Sequence, residues 1–262
     1  MKYVGGCDVG STYTKCVIID EAGQIVGHTT IRSKINAEIS AKDALDLTIK
    51  QVEGLKDIGD LTYLVGTGYG RNKVPQADEN ISEISCHAMG VHVTNPDVKA
   101  IIDIGGQDVK GIQIDSDGTV KTFAMNDKCA AGTGRFFEAM ANAFECSLDE
   151  FSNLSLSAKN AIPITAQCTV FAESEVITLV GEGKPRDEIA AGIQQAVAKR
   201  CFVMAKKAGA TDKITLTGGC AKNAGLKKAI ENVLRIKVVE LKTDPQLMGA
   251  LGAAEYARQK GM

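Results

Sequence analysis

The sequence predicts an α/β protein of two similar halves that divide near residue 95. Two observations carry that expectation. Apolar segments that stop at a Gly- and Asp-bearing turn occur twice, as GCDVGSTYTK (6–15) and IIDIGGQDVK (101–110), and each leads into further strand-like segments and then a helix. The rest of the chain alternates helical and extended patterns, which suits mixed sheets covered by helices rather than an all-α or all-β protein.

Taken in order, residues 2–9, 14–20 and 24–30 read as three strands, joined by turns at 10–12 and 21–23. Residues 40–56 read as a helix with Ala41, Ala44, Leu45, Thr48, Ile49, Val52 and Leu55 on one face. A short strand at 61–68 and a helix at 81–93 complete the first run. The order then recurs: a buried strand at 99–106, two strands in VKGIQID and GTVKTFAM, and a helix starting near Thr133 with Phe136, Met140 and Phe144 at helical spacing. Helices at 170–181 and 187–208, a strand at 213–217, a helix at 222–233, a strand at 236–240 and a helix at 245–260 follow. Asp244–Pro245 is a helix start, a capping side chain followed by proline at the first helical position. Gly249, Gly252 and Ala253 predict close packing of that last helix, which is expected to return to the first half. The expected domains are 1–95, completed by 245–260, and 96–244.

Composition narrows the function. The 262 residues carry 30 basic and 32 acidic side chains, a net charge of −2, without a block of like charge. Nucleic-acid and membrane-surface roles need a concentrated basic face, so neither is expected. No apolar run approaches the ~20 residues of a membrane span, and MKYVGGCDVGS lacks the apolar stretch of a secretory signal. Eight cysteines, at 7, 16, 86, 129, 146, 168, 201 and 220, without such a signal imply a reducing cytoplasm. No CxxC pair occurs, so any metal site must be assembled from distant segments or from more than one chain.

Three segments share one design, an apolar strand running into a glycine turn with polar groups: GCDVGSTYTK, IIDIGGQDVK and LTGGCAKN (216–223). Glycines let backbone amides converge on an anion without a Cβ clash. Asp8 and Asp103 stand beside the first two turns, and two carboxylates near a phosphate suit a hydrated magnesium ion. Ser11 and Thr12 add donors, and Lys15 a point charge for outer phosphates. Any one of these turns is compatible with an ordinary hairpin. The first two are more informative together because they hold equivalent places in the two halves. They match neither the dinucleotide fingerprint nor the P-loop.

Two cysteines precede helices. Cys129 lies in NDKCAAGTGRF (126–136), and Cys168 in TAQCTVFAESEV (165–176), where Thr169 is the expected N-cap. A helix N-terminus carries roughly half a positive charge and free amides. That environment stabilises a thiolate and suits an anionic iron–sulfur cluster. Each thiol is also compatible with plain burial in a core. A four-iron cluster would need two such chains on a twofold axis, two cysteines from each. Cys7 and Cys16 read as core packing on neighbouring strands. Cys86–His87 reads as helix packing, because adjacent helical residues point about 100° apart.

DVGSTYTK, DIGGQD and TGGCAKN resemble the two phosphate motifs and the adenosine motif of the actin, sugar-kinase and heat-shock-chaperone ATPase superfamily. With NDKCAAGTGRF, CTVFAESEV, GTGYGRN (66–72) and SEISCHAMG (82–90), the chain resembles, over most of its length, the ATP-dependent activators of 2-hydroxyacyl-CoA dehydratases. The reductase subunits of benzoyl-CoA reductase are similar. The resemblance implies two duplicated actin-like (ribonuclease H-like) domains with a nucleotide cleft between them. It implies that Asp8, Gly10, Ser11, Thr12 and Lys15, and opposite them Asp103, Gly105, Gly106 and Gln107, hold phosphates and Mg2+. Gln107 would orient the attacking water or make only a structural hydrogen bond. Gly218, Gly219 and Asn223 would line the adenosine pocket, with Gly132, Thr133 and Gly134 facing the nucleotide cleft. Cys129 and Cys168 would be ligands of one [4Fe-4S] cluster shared by a homodimer. The implied function is ATP-driven electron transfer from ferredoxin or flavodoxin to an iron–sulfur dehydratase or a related low-potential reductase. A small-molecule kinase or an ATP-binding regulator on the same fold is the alternative, and either leaves the two cysteines idle.

Overall fold

The computed structural model describes residues 2–128, 130–165 and 168–262. Contacts divide the chain into two compact units: Met1–Val98 with Ile114–Lys121 and Leu241–Met262, and Lys99–Gln113 with Thr122–Glu240.

The first unit contains strands β1 (Tyr3–Val9), β2 (Tyr13–Asp20), β3 (Ile25–Arg32), β4 (Tyr63–Thr67) and β5 (Glu79–Asn80), with helices α1 (Ala37–Ile49) and α2 (Glu83–Thr94). The sheet order is β3-β2-β1-β4-β5. β1 pairs antiparallel with β2, Asp8 opposite Lys15, and parallel with β4, Asp8 opposite Thr67. β1 is buried along nearly its whole length because helices cover both faces, so its apolar residues run on without alternation. One cover is α1, whose Ala41, Ala44, Leu45 and Ile49 pack against Cys7, Val9, Cys16 and Ile18. The helix is shorter than the expected 40–56. Asn36 caps it by accepting from the amides of Glu38 and Ile39, and it ends at Ile49 before Gly54 turns in the left-handed region (φ 93°).

The second unit repeats the plan. Strands β6 (Ala100–Ile104), β7 (Val109–Ile114), β8 (Val120–Asn126) and β9 (Ile214–Thr217) form a sheet in the order β8-β7-β6-β9. β6 pairs antiparallel with β7, Asp103 opposite Lys110, and parallel with β9, Asp103 opposite Thr217. Helices α3 (Gly134–Ala143), α4 (Leu148–Ser157), α5 (Thr169–Gly181), α6 (Arg186–Lys207) and α7 (Ala224–Leu234) belong to it. Its core joins Ile102 and Ile104 to Phe136, Phe137 and Met140 of α3 and to Ile189, Ile193 and Val197 of α6. Helix α4 was not expected, although Ser147 and Glu150 form a capping box at its start. Its Phe151 stacks edge-on against Phe144, ring centroids 5.2 Å apart, and closes the end of α3.

The expected strand at 236–240 is not built. Val239 donates one backbone bond to Ile214, but the amide of Val238 is taken by the Glu231 carboxylate, so no ladder develops. The last helix begins as a single 3₁₀ turn, Pro245–Leu247, capped by Asp244, and continues as α8 (Met248–Gly261) rather than starting as α-helix at 245. α8 packs on β1 and α2 through small residues: a Cβ at Gly6 would strike the Ala250 carbonyl, and one at Gly90 the Met248 carbonyl.

Candidate functional site

In the first unit the turn after β1 is shaped by its own backbone and by Ser33. The Gly10 amide donates to the Tyr13 carbonyl at 3.2 Å, the Ser33 hydroxyl donates to the Gly10 carbonyl at 2.8 Å, and the Ser33 amide donates to Thr12 at 2.9 Å. Ser33 was not singled out in the sequence, because only the β2–β3 register brings it there. Asp8 is fully buried, and its Oδ2 lies 2.6 Å from Lys15 Nζ. Beyond that ion pair neither Asp8 oxygen has a hydrogen-bond partner, and the buried hydroxyl of Thr12 also lacks one. Three polar atoms short of partners at one glycine turn are unusual in a folded interior. They fit a hydrated divalent cation with phosphate, which would supply the missing partners. Ser11 is exposed at the tip.

Three residues outside the predicted set build this pocket. Gly68, at φ 85°, sits so close to Asp8 Oδ1 that any Cβ would strike it. A Cβ at Gly249, in the first turn of α8, would come within 2.9 Å of both Asp8 Oδ2 and His87 Nε2, so the carboxylate and the buried imidazole flank that glycine. Within the GTGYGRN stretch, Gly68 is thus the residue that lies against Asp8, while Gly66 lies against Asn80 and Gly70 against Val9.

In the second unit three turns converge. The Gly134 and Arg135 amides donate to the carbonyls of Gly105 and Gly106 at 2.9 and 3.0 Å. A Cβ on Gly134 would touch Gly106 Cα at 3.2 Å and Cys220 Sγ at 3.6 Å, and one on Gly218 (φ 82°) would lie 2.9 Å from Asp103 Oδ1. The structure thus brings Asp103, Gly105, Gly106, Gly134, Gly218 and Cys220 together; burial pushes the Cys220 thiol far up and keeps it neutral. Gln107 is exposed on its turn. Gly132 and Thr133 are buried, Gly132 at φ 108°, and the Thr133 hydroxyl donates to the Ala130 carbonyl at 2.7 Å. Asp103 is satisfied on both oxygens, by Thr217 Oγ1 at 2.8 Å and by Lys110 Nζ at 3.1 Å. Lys110, 2% exposed, also reaches Asp108 at 2.8 Å. Neither Lys110 nor Asp108 was predicted.

Asn223 caps α7, its Oδ1 accepting from the Leu226 amide at 2.8 Å and from Gln194 Nε2 at 3.1 Å.

Of the two helix-start cysteines, Cys129 lies outside the described residues. Cys168 is the N-cap residue of α5, displacing the expected Thr169, which is the first helical residue and keeps a buried, unpartnered hydroxyl. Among the described cysteines Cys168 alone is exposed, and all are free. Burial pushes Cys86 and Cys201 up to about 12 and raises Cys16 well above its ordinary value, so these remain thiols inside the cores. Cys7 and Cys16 face each other across β1 and β2, Sγ to Sγ 3.0 Å. An exposed thiol at a helix N-terminus has the donor chemistry an iron–sulfur cluster requires. Val170, Phe171 and Ile177 are exposed on the same helix.

Residues 6–257 match the sequence pattern of the BadF/BadG/BcrA/BcrD ATPase family. The chain belongs to that family. It is therefore an ATPase, with the two-domain actin-like architecture of its structural neighbours. It is 46% identical over 255 residues, 97% of each chain, to the activator of lactoyl-CoA dehydratase of Anaerotignum propionicum. It resembles the solved activator of the 2-hydroxyisocaproyl-CoA dehydratase from Clostridium difficile, which carries ADPNP, with TM-score 0.91, 41% identity and coverage of 99% of this chain and 95% of that one. A looser likeness, TM-score 0.60 at 14% identity over 98% of this chain and 99% of the other, to a ROK family glucokinase from Streptomyces griseus concerns the fold alone. No helix among the described residues is long and apolar enough to cross a membrane.

Proposed function

We propose that this ATPase activates a 2-hydroxyacyl-CoA dehydratase, or a related low-potential iron–sulfur reductase, by driving an electron to it at the expense of ATP. Ferredoxin or flavodoxin is the donor, and the working form is a cytoplasmic homodimer. The observation that carries the reading is Cys168, a free exposed thiol at the start of α5. A kinase or a purely regulatory ATP-binding protein has no use for such a thiol.

Each residue has a part. Asp8, short of partners, takes Mg2+ through water, and Gly10, Ser11 and Thr12 cradle phosphate while Lys15 leaves Asp8 for the outer phosphates. Asp103, Gly105 and Gly106 serve the same phosphate chain from the second unit, with Gln107 oriented toward the hydrolytic water. Gly218, Gly219 and Asn223 line the adenosine. Cys129 and Cys168, with the same pair from a second copy, hold one [4Fe-4S] cluster, which when bound stores the single electron that is passed on. The exposed Val170, Phe171 and Ile177 beside Cys168 are apolar surface of the kind a second copy covers. Gly132, Thr133 and Gly134 join the Cys129 segment to α3, and the Gly134 amide is bonded to the Gly105 carbonyl. A shift of the phosphate turn on nucleotide binding therefore pulls on the cysteine segment.

The test is iron and acid-labile sulfide per chain in anaerobically purified protein, together with its mass in solution. About two irons per chain in a dimer is the expected result. Four per chain would give each subunit its own cluster, and no iron after reconstitution, with ATPase intact, would return the protein to the kinase or regulator class.

A further inference from the structure

Helix α6 carries both segments that lead to the helix-start cysteines. The segment after Cys129 lies against Arg200: a Cβ at Gly132 (φ 108°) would come within 3.2 Å of Arg200 Cδ. The segment before Cys168 crosses the helix earlier, where a Cβ at Gly192 would strike the Ile162 carbonyl. At 1.5 Å per residue the two crossings are about 12 Å apart along α6. The same stretch of α6 floors a groove of about 500 Å³. Its lining includes Ala131, which follows Cys129 by two residues, and Thr165, which precedes Cys168 by three. Three residues of chain reach at most about 11 Å, so the groove adjoins Cys168.

The chain as a whole has a net charge of −2, yet the charged residues in the described lining of the groove are Lys199 and Arg200, both cations. Lys199 is exposed and has no ion-pair partner among the described residues. A helix dipole favours cations only in the last turn. It accounts for Lys206 and Lys207 at the end of α6, but Lys199 stands about two turns before them. Val203 adds apolar surface to the same lining and is 44% exposed. Cations with an apolar neighbour make a surface for a protein more than for a small anion.

We propose that this groove is the docking face for the electron donor, an acidic one-electron carrier protein that sets a carboxylate against Lys199 and Arg200. The inference rests on the reading of the protein as an electron-transferring ATPase, and it adds the face that receives the donor. At docking the carrier loses one electron and the cluster gains one, and no bond is made or broken. A carrier that must come and go binds through a small contact and through charge, which speeds encounter more than it tightens the complex. The exposed Val170, Phe171 and Ile177 of α5 have the opposite, apolar character, which suits a lasting contact with a second copy.

The experiment mixes the cluster-loaded full-length protein anaerobically with reduced ferredoxin, and separately with reduced flavodoxin, each freed of excess reductant. Stopped-flow absorbance of the cluster gives the rate of reduction at low and at high salt. For the faster carrier, the wild-type rate should fall as salt rises, and Lys199→Glu should lower it about tenfold or more at low salt and less at high salt. Lys199→Arg should keep the wild-type rate. Lys50→Glu, the same charge change at an exposed residue of the first unit, should keep it too. Reduction by dithionite and iron content should be unchanged in all three variants. A salt-independent rate in wild type, an unchanged rate in Lys199→Glu, or equal slowing in Lys50→Glu would overturn the proposal while leaving the electron-transfer reading in place. So would a Lys199→Glu defect confined to delivery from the dithionite-reduced protein to the dehydratase, which would give the groove to the acceptor. A changed solution mass in Lys199→Glu would give it to the second copy, with the same consequence. Wild type reducible by dithionite but by neither carrier would overturn the donor and this docking face together, and the lack of any reducible cluster would overturn the electron-transfer reading itself.

Discussion

Asp8 and Asp103 occupy the same place in the two sheets, each on the first strand and each opposite a lysine of the second. Their surroundings differ. Asp8 has one close partner, Lys15, whose side chain is 13% exposed, and both carboxylate oxygens are otherwise unsatisfied. Asp103 is held by Lys110 and Thr217, and Lys110 is shared with Asp108. One turn is short of partners and the other is saturated. A repeated strand–turn–strand has thus been finished in two ways. In the first the carboxylate meets one lysine and nothing else, and in the second it is tied to a lysine and a threonine before any ligand is bound.

The sharpest way to break this comparison is to remove each lysine. Lys110→Met leaves two carboxylates in a buried site without their shared cation, a change that costs about 3–5 kcal/mol. Thermal unfolding should show it, at about 2–4 °C per kcal/mol for a protein of this size. Mg·ADP should not restore the loss. Lys15→Met also strips a buried carboxylate, but at the open turn, so Mg·ADP should recover most of the stability lost. Equal recovery in both variants would mean that the two turns do the same job.

Asp8→Asn comes next. On the proposed reading Asp8 carries the charge that holds the cation, so its removal should lower ATP turnover about 10²–10³-fold, the usual size of a lost electrostatic contact to the transition state. Iron content should stay at its wild-type value, because Asp8 belongs to the first unit and Cys168 to the second. Unchanged turnover would remove Asp8 from the magnesium site and with it the functional half of the contrast.

Gly68 and Gly54 sharpen the comparison within the first unit. Both are in the left-handed region, at φ 85° and 93°. A Cβ at Gly54 meets nothing within 4 Å, whereas one at Gly68 meets Asp8. Gly54→Ala should cost about 1 kcal/mol from backbone strain alone. Gly68→Ala should add about 1–3 kcal/mol of overpacking and should lower turnover as well, since the displaced group is the carboxylate itself. Equal stability losses, measured by denaturant unfolding, would show that Gly68 is there only for its dihedral angle.

The fold was legible where period and punctuation agreed. β1, β2, β6 and β7 are apolar runs ended by glycine turns, and α3 has its aromatic stripe. Legibility failed where hydrogen bonding outside the strand decided the outcome. Residues 236–240 look extended and apolar enough for a strand, but Glu231 takes the amide of Val238. The mixed Ser, Leu and Asp content of α4 hid a helix that its Ser147–Glu150 box announces. In the site, Asp8, Asp103 and the glycines stand in short motifs and could be read. Ser33, Gly68, Gly249 and Gln194 arrive by strand register or helix packing and could not. Lys110 is the instructive case. It follows Asp103 by seven residues, as Lys15 follows Asp8, so the duplication itself held the signal.

The two units are alike in one respect, and it gives the smallest effect. Cys86 in the first and Cys201 in the second are both pushed up to about 12 by burial, above the ordinary thiol value of 9.0. A raised folded-state pKa means that the unfolded chain loses its proton first. The contribution of each thiol is therefore fully present below about pH 9 and declines as pH rises toward about 12, by about 1.4 kcal/mol per pH unit within that window. Urea unfolding at pH 8 and pH 10 should show wild type losing more stability than Cys86→Ala or Cys201→Ala, with equal relief from each. Cys168→Ala, whose thiol is exposed, should follow wild type in this measurement and differ instead in iron content. If Cys86→Ala alone relieved the loss, the equivalence of the two cores would fail, and the contrast between the turns would extend to the interiors behind them.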